Sequence, residues 1–369
     1  MYNDHFLNKK LEERKLQNAF RHLRLPEGKI DFCSNDYLGI VKNNLLDPFI
    51  NGNQLKTGST GSRLLAGNYA LIEEVENEIA AFHQSQTALI FNSGFDANLG
   101  VLSSVPQRGD TIMYDSLCHA SIRDGIRLSV AHSFSFAHND VDDLEKKLQH
   151  AAAVADKNIF IVSETVFSMD GDFCALQQLV ALSKKYHAHL IIDEAHATGV
   201  IGERGEGLVE QLYLQDEIFC RIHTFGKACG CHGAAVLGSL QLRDYLINFA
   251  RSFIYSTALP EHDVVVVRAS YQTFPSMKNE RKYLQEIIAA FQSVEINYQK
   301  LPSSTPVQGV IVPGNDEAKI LAQRLQENNL DIRPILYPTV AKGAERLRIV
   351  LHAFNTKEEL QLLINELKS

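Results

Sequence analysis

The stretch "IHTFGKACG", residues 222–230, ends an apolar run on Lys227 and wraps that lysine in small residues. An ammonium group in a crowded turn loses solvation, which lowers its pKa and frees the amine for Schiff-base chemistry. The Gly-Lys pair is not a phosphate-binding Walker motif, because Arg221 stands five positions before Gly226 and Ala228 follows the lysine where Ser or Thr is required. Three other stretches also place polar residues directly after an apolar run. "IIDEAHATG" puts Asp193, Glu194 and His196 there. A carboxylate so placed holds a metal, a cationic ring nitrogen, or simply a helix cap or ion pair. "YDSLCHAS" puts His119 shortly after "TIMYD", and a histidine alone is more often structural than chemical. "FNSGFDAN" sets Ser93, Gly94 and Phe95 at a helix start, whose free N–H groups and dipole favour a phosphate; a plain Ser cap is the ordinary reading. "CGCH" cannot complete a metal site by itself, no second ligand set supports the "DEAH" carboxylates, and no metal is expected. The Gly/Ser-rich "KTGSTGSRLLAGNY" lacks the P-loop pattern and reads as a tight connection.

The segments around these residues alternate. "TALIFN", "TIMYD", "HSFSF", "IFIVSE", "HLIIDEA", "FCRIHTF" and "AAVLGS" read as strands, with helical patterns such as "LIEEVENEIAAFH", "VDDLEKKLQHAAA" and "LQQLVALSKKYH" among them. This predicts an α/β fold with a large, mostly parallel sheet flanked by helices. Ahead of it, residues 7–23 carry Leu7, Leu11, Leu16, Phe20 and Leu23 near helical spacing, an amphipathic surface helix. Later, "ERKYLQEIIAAFQSVEINYQK" reads as one long helix, followed by a smaller C-terminal α/β pattern. The expected organisation is an N-terminal helix and arm over 1–45, a large domain over 46–265 and a small domain over 266–369. In a parallel sheet, ligands bind beyond the carboxyl ends of the strands. Such a sheet gathers a lysine, an aspartate, two histidines and a helix N-terminus at one edge. A cofactor with an aldehyde, a basic ring nitrogen and a phosphate would use all of them, and pyridoxal 5′-phosphate (PLP) is that cofactor.

Composition narrows the function classes. The 369 residues have 45% apolar and 22% charged content, an ordinary globular balance long enough for more than one core. A net charge of −8 argues against a general nucleic-acid binder. The N-terminal stretch is charged where a signal peptide needs an apolar run, and no segment is long and apolar enough to span a bilayer. The six cysteines show no disulfide spacing, so reduced thiols and a cytoplasmic location are expected.

Taken in order, "DFCSNDYLGI", "NSGFDAN", "SLCHASI", "FAHND", "ETVFSMDGD", "DEAHATGVIGERG", "HTFGKACG", "FIYSTALP" and "YPTVAKGAERLRI" resemble the α-oxoamine synthases, PLP enzymes of the aspartate-aminotransferase fold (fold type I). The resemblance runs through nearly the whole chain. It implies that Lys227 is the Schiff-base lysine and proton acceptor, that Asp193 pairs with the pyridinium nitrogen, and that His119 stacks on the ring with His196 near its 3-oxygen. It implies further cofactor contacts at Gly94, Phe95, Ser168 and Thr224, and at Ser256 and Thr257 toward the phosphate of a neighbouring subunit in a homodimer with shared sites. Arg348 matches the clamp for the amino-acid carboxylate, while Arg346 reads as a surface charge alternating with it. Arg21 and Thr339 match acyl-substrate contacts. The implied chemistry is decarboxylative condensation of an amino acid with an acyl thioester carried on coenzyme A or a carrier protein. "TFGKACG" and "GAAVLGS" are most similar to family members that use L-alanine and a pimeloyl thioester; others use glycine or serine with acetyl, succinyl or palmitoyl thioesters. The chain departs from the family pattern at Ala197, Ala228, His232 and Ala341. A binding-only relative would be expected to lack the lysine, and Lys227 is present.

Overall fold

A computed structural model describes residues 2–25, 28–50, 55–153 and 157–369. Its larger sheet has seven strands: β1 (Thr87–Phe91), β2 (Thr111–Asp115), β3 (His132–Phe136), β4 (Ile159–Glu164), β5 (His189–Asp193), β6 (Cys220–Thr224) and β7 (Ala234–Gly238). They lie in the order β1-β7-β6-β5-β4-β2-β3. Only β7 runs against its neighbours, so the other strands all end on the same edge. The sheet is therefore mostly parallel, as the alternating pattern predicts. Strand β5 is buried from Leu190 to Asp193 and β4 along its whole length, which a strand covered by helices on both faces requires.

The chain divides into two compact units, residues 38–168 with 173–281, and residues 1–37 with 169–172 and 282–369. The expected boundary at 265/266 falls inside the helix Glu261–Thr273, which belongs to the larger unit. In the larger unit, helix α1 (Ala70–Phe82) buries Ile72, Val75 and Ile79, and Glu76 beside them is ion-paired to Arg63. Helix α2 (Gly94–Ser104) starts on Ser93, whose hydroxyl accepts from the Asp96 N–H (3.0 Å). It packs Ala97, Val101 and Leu102 into a core with Ile122 and Ile126 of α3 (Ala120–Leu128) and Ile191 and Ile222 of the sheet.

The smaller unit holds four antiparallel strands, β8 (Gln299–Lys300), β9 (Val307–Ile311), β10 (Arg333–Ile335) and β11 (Arg346–Val350), in the order β10-β11-β9-β8. Two sequence expectations change here. The helix expected over 7–23 covers only Asn8–Leu16, because Asn18 turns into the left-handed region (φ 47°) and its side chain bonds Asp316 and Lys319. Leu16 and Leu23 stay exposed. The long helix ends at Ser293, and its expected last residues instead form β8. Lys300 stops it by donating to the carbonyls of Phe291 (2.7 Å), Gln292 (2.9 Å) and Val294 (2.5 Å), where a cation meets the negative end of the helix. All six cysteines are free thiols. No helix among the described residues is long and apolar enough to cross a membrane.

The C-terminal helix Lys357–Lys368 buries Leu360, Leu363, Ile364 and Leu367 and carries a full capping box. Glu359 N–H donates to Thr356 Oγ1 (3.1 Å), and Thr356 N–H donates to Glu359 Oε2 (2.9 Å). Thr356→Ala is expected to cost about 1 kcal/mol. A urea unfolding midpoint for the smaller unit's transition that does not move would contradict this.

Candidate active site

The site residues of the larger unit follow the carboxyl ends of its parallel strands. Asp193 is the last residue of β5 and is 5% exposed. Its Oδ1 accepts from the Ala195 N–H (2.8 Å) and its Oδ2 from Asn98 Nδ2 (2.7 Å). Both donors are neutral, so the buried negative charge keeps the capacity to pair with a cationic ring nitrogen. His196 is buried in the turn after β5, where the N–H groups of Ala197 (3.0 Å) and Thr198 (2.9 Å) donate to the Glu194 carbonyl.

Thr224 ends β6 and is buried, while Lys227 is half-buried three residues on, with Nζ 3.5 Å from Thr224 Oγ1. Tight backbone bonds close the turn: Gly230 N–H to the Lys227 carbonyl (2.8 Å), and Phe225 N–H to the Gly233 carbonyl (2.9 Å). Gly230 and Gly233 supply its left-handed positions (φ 64° and 109°). Ala228 is fully buried, and a Cβ on Gly199 would lie 2.7 Å from its own Cβ. That contact requires glycine at position 199 beside the alanine, and nothing in the structure explains the departure at 228 itself. The helix start is equally close, since a Cβ on Gly94 would fall 2.4 Å from Thr224 Cγ2. Phe95 beside it is 44% exposed.

His119 caps α3 and is exposed, with Nδ1 2.8 Å from Ser121 Oγ and its N–H donating to Glu164 Oε1 (2.5 Å). Partial desolvation lowers its pKa; the Asp193 charge opposes this, and the Lys227 charge adds to it. Ser168 lies half-buried in the loop after β4. Ser256 is half-buried and Thr257 exposed, and the Thr257 carbonyl accepts from Asn92 Nδ2 (2.8 Å) next to the start of α2. Asp193, His119, Thr224, Lys227 and Gly94 thus come together at one edge of one sheet.

In the smaller unit, Arg348 is half-buried on β11 and donates to Asn35 Oδ1 (2.9 Å), which also accepts from the Tyr37 hydroxyl (3.2 Å). Burial pushes the Tyr37 phenol up to about 12, against the opposing pull of Arg348. Arg21 Nη2 donates to Thr339 Oγ1 (3.1 Å), and both residues are exposed. Arg346 is not a surface charge: it is 7% exposed and bonded to Asp170. Every residue of its strand but Arg348 is buried, so the face they share does not reach solvent freely.

Three residues of the site were not singled out from the sequence: Asn98, Ser121 and Glu164. Asn98 lies four residues after Gly94, the same face of α2 one turn on, and that spacing was the available signal. Glu164 ends β4 directly beside Asp193 in the sheet register.

The donor set fits PLP. A buried carboxylate with neutral donors suits the ring nitrogen, and a lysine amine stands beside Thr224. An exposed imidazole suits the ring face, and the glycine start of an 11-residue helix offers N–H groups to a phosphate. Such a constellation on a seven-stranded, mostly parallel sheet defines a PLP enzyme of fold type I. The sequence profile described as aminotransferase class I and II matches residues 27–367. The 8-amino-7-oxononanoate synthase of Emericella nidulans is 42% identical, over 92% of this chain and 89% of its own length. A structure of SPT with a PLP internal aldimine superposes with a TM-score of 0.88 at 24% identity, covering 100% of this chain and 98% of that one. The 8-amino-7-oxononanoate synthase of Francisella tularensis does so with a TM-score of 0.76 at 28% identity, covering 93% and 97%. The chain therefore belongs to the class I and II aminotransferase family and, within it, to the α-oxoamine synthases, enzymes whose cofactor is PLP.

Glu164 makes the electrostatics testable. Burial, and next the charge of Asp193, push its carboxyl up to about 8 from 4.5, against the pull of the His119 N–H. A carboxyl raised on folding keeps its proton in the native protein while the unfolded chain releases it. Stability therefore falls as pH rises from about 4.5 to about 8. In the cofactor-free protein, Glu164→Gln should flatten that decline in thermal midpoint, since Gln still accepts from His119. Parallel pH profiles for variant and wild type would rule the assignment out.

Proposed function

We propose that this enzyme condenses L-alanine with a pimeloyl thioester to give 8-amino-7-oxononanoate, carbon dioxide and free thiol, a step of biotin synthesis. The gathering of Lys227, Asp193 and His119 around the start of α2 carries the reaction class. The 42% identity to the Emericella nidulans synthase supports the substrate pair.

Bound PLP supplies an electron sink for the negative charge that develops on the amino-acid Cα. Asp193 keeps the ring nitrogen protonated, and its burial makes that charge strong. Lys227 would hold the cofactor through Nζ, and the same amine would take the Cα proton of the amino acid. A half-buried position suits that task, because it keeps Nζ beside Thr224 and within reach of a bound ligand. His119 would cover the ring face, His196 would serve the ring 3-oxygen, and Ser168, Thr224, Gly94 and Phe95 would hold the ring and phosphate. Arg348 is assigned the substrate carboxylate, for which a planar guanidinium offers two parallel N–H donors. Arg21 and Thr339, already joined at 3.1 Å, are assigned to the acyl substrate. Ser256 and Thr257 are assigned to the phosphate of a second subunit in a homodimer.

Two measurements test this reading. Lys227→Ala should lower turnover by a factor of about a thousand or more, as losing a nucleophile and base together implies, while leaving the fold intact. Retention of most of the activity would overturn the role of Lys227. Thiol release should be fastest with L-alanine plus pimeloyl-CoA among matched pairs that include glycine with acetyl-CoA, glycine with succinyl-CoA and L-serine with palmitoyl-CoA. A clear preference for a glycine or serine pair would keep the reaction class and reject the substrates. Release from a pimeloyl carrier protein, run alongside, distinguishes the two possible thioester carriers.

A further inference from the structure

One buried amide in the larger unit reaches both the residue assigned to the ring nitrogen and the residue assigned to the ring face. Asn98 is 2% exposed. Its Nδ2 donates one hydrogen to Asp193 Oδ2 (2.7 Å) and the other to Ser121 Oγ (3.1 Å). Ser121 Oγ in turn lies 2.8 Å from His119 Nδ1, and the Ser121 N–H donates to the same nitrogen (3.2 Å). A nitrogen that accepts a backbone N–H carries no proton of its own, so the neutral His119 ring holds its hydrogen on Nε2. The serine hydroxyl, already accepting from Asn98, has its own hydrogen available for Nδ1. The chain of donors therefore runs one way, from Asn98 through Ser121 to His119.

The amide has one workable orientation. Asn98 Oδ1 is buried with no hydrogen-bond partner among the described residues. Reversing the group would set that oxygen against the Asp193 carboxylate and leave both of its present acceptors without their donor. Leaving Oδ1 unpaired costs free energy, and the site tolerates this to keep both N–H groups on their acceptors.

We propose that Asn98 is a positioning residue that fixes the Asp193 carboxylate and, through Ser121, the tautomer and orientation of the His119 ring, so that one side chain aligns both groups with bound PLP. This rests on the assignment of Asp193 and His119 to the cofactor. The charged groups facing His119 are Asp193, Glu164, Lys227, Arg123 and Asp124, and those facing Glu164 beside it are Asp193, Lys227 and Asp115. Substituting Asn98 or Ser121 removes none of these charges, so any shift it causes travels through the hydrogen bonds.

The test uses wild-type protein and the variants Asn98→Ala, Ser121→Ala, Ser121→Thr and Asp193→Asn. Each is stripped of cofactor and titrated with PLP, and the visible absorbance of each loaded form is followed against pH. Asn98→Ala should bind PLP about tenfold more weakly, the change expected from losing one hydrogen bond to a charged acceptor. Its absorbance midpoint should move from the wild-type pH. Ser121→Ala should move the midpoint in the same sense, and Ser121→Thr, which keeps the hydroxyl, should restore it. The effects of Asn98→Ala and Ser121→Ala should be non-additive in the double variant, because both cut the same chain of donors. A folded Asn98→Ala with wild-type PLP affinity and midpoint overturns the proposal. If Asn98→Ala does not fold, the Ser121 pair decides, and a Ser121→Ala midpoint equal to wild type overturns it. If Asp193→Asn also binds PLP and absorbs like wild type, the failure lies with the role given to Asp193 and not with Asn98 alone.

Discussion

Two carboxylates, Glu164 and Asp193, end adjacent parallel strands as direct register partners, and the sheet buries both. Like charges so close and so dry cannot both persist without cost, and the structure separates their roles. Glu164 is driven toward its protonated form by burial and by its neighbour. Asp193 receives two neutral N–H donors, one from Ala195 and one from Asn98. The remaining groups of the larger unit's site are disposed around that asymmetry. Glu164 accepts from the backbone of His119, and Asp193 accepts from two neutral donors beside it.

Close approach of backbones is the second constraint. Gly94 admits Thr224 where any side chain would collide, and Gly199 admits Ala228 in the same way. These contacts pull the start of α2, the turn after β5 and the lysine turn after β6 toward the same edge. Lys227 thereby stays half-buried without forming part of the apolar core. The small residues around the lysine are thus a geometric requirement, which accounts for the composition of "TFGKACG" better than any property of its one cysteine, the buried Cys229.

The smaller unit solves a different problem, holding arginines in strands. Arg346 and Arg348 stand two apart on β11 and so share one face, where the first is buried and the second half-buried, so each needs its own partner. Arg346 finds Asp170, and Arg348 finds Asn35, a neutral acceptor that leaves its positive charge uncancelled at that contact. The sequence reading of Arg346 as a surface charge misjudged its environment, because period-two patterning says which residues share a face, as Arg346 and Arg348 do, and not whether that face is covered.

What the sequence determined by itself is the set of residues placed by local chemistry: strand ends, turn glycines, the Ser93 cap, and hence Gly94, His119, Asp193, Thr224 and Lys227. These follow from periodicity and backbone rules that act over a few residues, and a resemblance running through the whole chain joined them into one cofactor site. Tertiary structure alone decided which strand ends are neighbours. It paired Glu164 with Asp193, brought Asn98 to that carboxylate across 95 residues of sequence, and joined Arg21 to Thr339 across 318. It also stopped that N-terminal helix at Leu16, short of Asn18, whose partners Asp316 and Lys319 lie on a distant helix. The physical reason is common to all of these. A buried polar group is explained by its partner, and a partner is set by strand order and packing, which no local pattern encodes.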